Sequence, residues 1–204
     1  MAFVEAWSIP PAAKRADAAI VGGGGDLVVI DFVSRQFTRE TTTTGDFAAL
    51  VKDLKLGVTE KLEQVDVTLR HALAAGAGSH RIFPLVVIAG AFPMMPPLDA
   101  VINDGLAALK IEVINSMPNC RPWMVLDLLG FLTLLGVSTA TGVGVPDLLD
   151  QWQRSPLARN EFREWALRDG PARQLPGGGL PNDAWPRISR YLGFGTDGVS
   201  VDAR

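Results

Sequence analysis

Apolar residues fall at Phe47, Leu50, Val51, Leu54, Val58, Leu62, Val65, Leu69 and Leu73. That 3.6-residue period predicts one long helix over 46–75, the strongest pattern in the chain. Asp46 stands at its N-cap position, Gly57 is a place for it to kink, and Gly76 and Gly78 end it. Ahead of the helix, residues 17–36 read as two short apolar strands joined by Gly22 to Gly25. A glycine run reverses easily because positive φ costs it no Cβ clash. Behind the helix, Ile82 to Phe92 is a near-continuous apolar run. It predicts a buried, central strand with Pro84 near its start.

The remainder is read in the same way. Met94-Met95-Pro96-Pro97 is a turn, followed by a helix over 98–109, short strands at 111–114 and 123–126, and a helix over 127–135. Pro146 suits the first position of a helix over 145–153, with another over 156–167. Residues 170–186 are rich in Pro and Gly and read as a loop; 188–194 can dock, and 195–204 are expected to fray. The expected organisation is an irregular lead-in over 1–14, a single domain over 15–169, and a linker and tail over 170–204. Hairpin, long helix, buried strand and further helices together predict an α/β fold: a mixed sheet flanked by helices, with a helical C-terminal extension.

The 204 residues are 48% hydrophobic and 20% charged, enough for a globular core. A net charge of −3 and a pI of about 5.4 exclude the overall basic footprint of a dedicated nucleic-acid binder, while a local patch stays open. Cys120 is the single cysteine, so no disulfide forms within the chain and a reducing, cytoplasmic setting is expected. Its turn-like neighbours Pro118, Asn119, Arg121 and Pro122 make it a loop cysteine rather than a nucleophile. His71 and His80 are the only histidines and lack the spacing of a zinc site. The N-terminus has no basic stretch ahead of an apolar one, so no signal peptide is expected. Trp123 to Val137 holds Asp127 and is shorter than the ~20 residues a spanning helix needs. It reads as buried core, and no membrane association is expected.

The chemistry lies in the acids of the strand pair. Asp17 opens the first strand and Asp31 sits within the second, on the face of Val29 and Val33 and opposite to Phe32 and Ser34. An acid among Val, Ile and Leu is costly unless something pairs with it. Two convergent carboxylates plus water suit Mg²⁺ or Mn²⁺, which can generate a hydroxide nucleophile and stabilise a leaving phosphate oxygen. The bland alternatives are a surface acid at Asp17 and, for Asp31, exposure to solvent or structural pairing with Arg35 or Lys61. Gly22 to Gly25 is not a phosphate loop, because the Lys-Ser/Thr ending is absent and no helix follows directly. Trp152 and Trp165, with Gln151, Arg154, Arg159, Arg163 and Arg168 nearby, read as an apolar stripe with a solvated flank rather than a stacking surface for nucleic acid.

Asp17 at a strand start, Asp31-Phe32-Val33 on the next strand, then the long helix and the strand at 82–92 resemble the PD-(D/E)XK nuclease superfamily. The resemblance covers roughly residues 15 to 90 and implies a restriction-endonuclease-like core. It implies Asp17 and Asp31 as metal ligands and a lysine two residues after the second acid. That lysine falls on Val33, which can neither orient water nor stabilise charge. Some members of the superfamily supply a basic or amide group from the following helix. The candidates here are Lys61 and Gln64, together with Arg35 on the Asp31 face. At about 100° per residue, Lys61 lies about 60° from the apolar centre line and borders the buried face, whereas Gln64, at about 120°, is less well aimed. The expected function is that of a degenerate, inactive nuclease-like domain that binds nucleic acid or a protein partner, or regulates one, without a cofactor. The alternatives are a Mg²⁺- or Mn²⁺-dependent nuclease with a relocated basic residue, and an unrelated α/β scaffold or interaction protein.

Overall fold

The structure, a computed structural model, describes residues 2–3, 15–34, 38, 40–44, 46–76, 80–89, 114, 116–156 and 162–174. Its sheet runs β1 (Ala2–Phe3), β2 (Ala18–Val21), β3 (Leu27–Val33), β4 (Ile82–Ile88) and β5 (Met124–Asp127), with spatial order equal to chain order. The first three strands pair antiparallel; β4 lies parallel to β3, and β5 parallel to β4. This is the mixed sheet that the sequence predicts. The β2–β3 hairpin closes through the Gly22 amide, which donates to the Asp26 carbonyl at 2.9 Å. Gly24 and Gly25 take φ of 75° and 91°, the left-handed region that a side chain disfavours.

All seven residues of β4 are buried, as a strand paired on both edges and covered on both faces requires. Pro84 stands third in it, opposite Val29. The predicted long helix is two helices in line: α1 (Phe47–Leu54) and α2 (Glu60–Ala74), joined by a π-helical turn over Lys55–Thr59. The interruption contains Gly57, where a Cβ would meet Cγ1 of Val33 at 3.4 Å. The wide turn therefore lies directly on β3. Asp46 acts as the expected cap, its Oδ1 accepting from the Ala48 amide at 2.9 Å. From α2, Leu62, Val65, Leu69 and Ala72 pack with Leu27, Val29, Val33, Val86 and Ile88. Alternate residues of β3 thus face this helix, and Asp31 shares their parity.

The chain divides into two compact units, Met1–Leu128 and Leu129–Arg204, where the sequence suggests one domain over 15–169. The second unit holds most of α3 (Leu128–Thr141) and all of α4 (Val145–Arg154) and α5 (Phe162–Arg168). The helix expected over 127–135 runs on to Thr141. Its threonines do not break it, because Thr133, Thr139 and Thr141 each return their hydroxyl to the carbonyl four residues back. Gly142, at φ 72°, ends it. Trp152 meets Phe162 edge-on at 5.4 Å, and Phe162 meets Trp165 at 5.2 Å. Arg154 and Arg168 pair with Asp150 and Glu164 one turn back, both at 2.8 Å. These tryptophans are buried core and the two arginines its charged flank. No single helix among the described residues is long and apolar enough to cross a membrane.

Of the strand expected over 111–114, only Ile114 is among the described residues; it is helical, and its amide donates to Asp66 Oδ1 at 3.0 Å. The turn at 94–97, the helix at 98–109, Arg35, Arg159 and the segments at 188–194 and 195–204 lie outside the described residues. Because Leu62 is fully buried between α2 and the sheet, Leu62→Ala should cost about 2–5 kcal/mol. Urea unfolding of wild type and variant measures this directly.

Candidate functional site

The antiparallel register pairs Ala18 with Ile30 at the end of the β2–β3 ladder. One step further on stand Asp17 and Asp31, so the chain places the two acids opposite each other. Directly opposed residues hold their Cβ atoms about 4.5–5.5 Å apart, close enough for the carboxyls to interact. Asp17 is exposed, and its Oδ2 accepts from the Phe32 amide at 2.8 Å. Asp31 is 0% exposed. Asp17 stands near enough to raise the proton affinity of Asp31.

The cation that Asp31 needs comes from α2. Lys61 Nζ donates to Asp31 Oδ1 at 2.7 Å and to Gln64 Oε1 at 3.2 Å. Lys61 is 24% exposed, with its amine reaching back over the sheet from the flank of the helix. Gln64, less well aimed by helix geometry, joins the cluster through Lys61 rather than by touching the acids. The other carboxylate oxygen, Asp31 Oδ2, is buried and has no hydrogen-bond partner. Burial pushes the Asp31 carboxyl up to about 7; the Lys61 bond pulls it back, and neighbouring Asp17 pushes it up again.

Of the five residues singled out from sequence, the structure brings Asp17, Asp31, Lys61 and Gln64 into one cluster; Arg35 lies outside the described residues. Val33 is 5% exposed and packed under Gly57. A lysine at 33 would have to enter that contact, whereas Lys61 follows Gly57 by one helical turn and reaches the acid from the side. The Phe32 amide that fixes Asp17 carries no signal in the sequence, since any residue but proline supplies it. Among the described residues no three His, Cys, Asp or Glu side chains gather into a metal-holding group. The site therefore offers two carboxylates, a number that Mg²⁺ accepts when waters and substrate phosphate complete its shell.

A second acid cluster lies at the other end of β3. Asp26 Oδ1 takes hydrogen bonds from His80 Nδ1 at 2.7 Å and Arg81 Nε at 3.0 Å, and its Oδ2 takes one from the Arg81 guanidinium at 2.5 Å. The Arg81 bonds hold the Asp26 carboxyl below its usual range. This cluster ties the hairpin to the start of β4 and accounts for His80. Its signal was a charged residue just ahead of each of two apolar strands. Burial pushes the Cys120 thiol up to about 12, with Asp66 adding to the effect. Such a thiol stays protonated at neutral pH; Cys120 itself lies in a bridge to Ile82 rather than in a free loop. The chain matches no protein-family model, no curated protein and no solved structure.

The pH dependence follows from Asp31. Its folded value lies above its ordinary one, so between 3.8 and about 7 the folded state binds more protons than the unfolded state. Stability should fall as pH rises through that window. Asp31→Asn should flatten this slope, as read by melting temperature across pH. Lys61→Met leaves a buried carboxylate without its cation and should cost about 3 kcal/mol at pH 8. The loss should shrink at pH 5, where a proton on Asp31 removes the charge.

Proposed function

We propose that the chain is a divalent-cation-dependent phosphodiesterase of restriction-endonuclease-like architecture that acts on nucleic acid, with its essential lysine supplied by α2. The observation that carries this reading is the Lys61 amine at 2.7 Å from Asp31, beside Asp17, where the strand position offers only Val33. The order of hairpin, crossover helix and parallel strand supports it. The donor set fits Mg²⁺ or Mn²⁺: two adjacent hard-oxygen side chains, one with a buried oxygen that no donor satisfies. When bound, such an ion supplies positive charge to a phosphoryl oxygen and acidifies a water.

The chain's own residues do the positioning. The Phe32 amide fixes the Asp17 carboxylate beside Asp31. Lys61 neutralises Asp31 and, being partly open to solvent, can also meet a phosphate oxygen with a second N–H. Gln64 accepts from the ammonium and limits where it swings. Enclosure of Asp31 excludes water from one side of the cluster, which strengthens each charge interaction within it.

A second reading has its own observation. Asp31 is fully enclosed and already paired with Lys61, which suits a structural ion pair in a retired scaffold that binds nucleic acid or protein without cleaving it. The acidic pI leans the same way, toward a protein partner.

Cleavage of labelled single- and double-stranded DNA and RNA in Mn²⁺ separates the two. The nuclease reading expects cleavage by wild type and a drop of at least about a hundredfold in both Asp31→Asn and Lys61→Met, the scale of lost transition-state electrostatics. Folded wild type that leaves every substrate intact would instead support the binding scaffold.

A further inference from the structure

We propose that Thr68 is a positioning residue of this site: through the main chain of Ala16 it holds Asp17 against Asp31. The proposal rests on the phosphodiesterase reading and adds a residue that touches neither acid. Thr68 is 2% exposed on α2. Its hydroxyl donates to the Gln64 carbonyl at 2.9 Å and accepts from the Ala16 amide at 2.7 Å.

The first bond is ordinary for a threonine within a helix. The second crosses 52 positions of sequence and ties down the residue next to Asp17. That support matters because the β2–β3 ladder stops at Ala18, leaving Asp17 one residue past its end. Asp17 is thus fixed at two points, its carboxylate by the Phe32 amide and its adjoining main chain by Thr68. Lys61, Gln64 and Thr68 stand at i, i+3 and i+7, a single stripe of α2. One rigid helix therefore carries both the amine that meets Asp31 and the anchor that places Asp17. Packing alone would accept valine at 68, as it does at Val65. A buried hydroxyl needs its hydrogen bonds to be tolerated there, and one of them reaches the site.

The test is Mn²⁺ affinity of the full chain, measured as free Mn²⁺ by electron paramagnetic resonance. Asp31→Asn assigns the binding to this site. Thr68→Val keeps the shape and loses both bonds; it should weaken binding by about tenfold, the usual effect of removing a group that orients a ligand. Thr68→Ser keeps the hydroxyl and should bind within about threefold of wild type, the bonds being retained. A purely structural threonine would lower the melting temperature of Thr68→Val and leave Mn²⁺ affinity alone. Ala16→Pro removes the same bond from its donor side, carries the test if Thr68→Val fails to fold, and should not add to it where both fold. Thr68→Val binding Mn²⁺ as tightly as wild type would overturn the proposal and leave the phosphodiesterase reading standing. Wild type without Mn²⁺ binding sensitive to Asp31→Asn would remove that reading, and this proposal with it.

Discussion

A carboxylate enclosed within a sheet must have a cation brought to it, and the surroundings of Asp31 are arranged around that requirement. The acid lies near the end of β3 on the face covered by α2. Water does not reach it, so its charge has to be met by protein. Lys61 meets it from the helix flank, and Gln64 holds the same amine. That contact requires α2 to lie close to β3. The chain at Gly57 passes over Val33, where a Cβ would stand 3.4 Å from Cγ1, at contact distance. Helix position and ion pair form one arrangement.

The two ends of β3 hold their acids in different ways. Asp26 is saturated: Arg81 and His80 donate to both of its oxygens, and its affinity for a proton falls. Asp31 has one donor on Oδ1, none on Oδ2, a second carboxylate beside it and a raised proton affinity. A saturated acid clamps; an undersupplied acid is poised to take a proton or a cation. Both are aspartates of one strand region, Asp31 the more deeply enclosed. Their difference lies in that depth and in what approaches from elsewhere in the chain.

Much of the first unit was legible because its signals are local. Periodicity gave the α1–α2 segment, and Gly57 marked its interruption. The apolar run at 82 gave the buried β4, and the glycine run gave the hairpin. Parity along β3 placed Asp31 on the face of Val29 and Val33. Helical angle put Lys61 at the edge of the buried face and therefore within reach of the sheet. The end of α3 was not legible in the same way: the helix outlasts its expected end because its threonines return their hydroxyls to its own carbonyls instead of breaking it.

The sequence by itself determined the elements and which residues could do chemistry, because backbone propensity, periodicity and strand parity act over a few neighbouring residues. Only the tertiary structure decided that Asp17 opposes Asp31, that Lys61 rather than position 33 supplies the amine, and that Thr68 reaches Ala16. Those contacts join residues 14, 30 and 52 positions apart. They depend on the register of the hairpin and the depth at which α2 seats on the sheet. Both are set by the packing of the whole core, which no short stretch of sequence specifies.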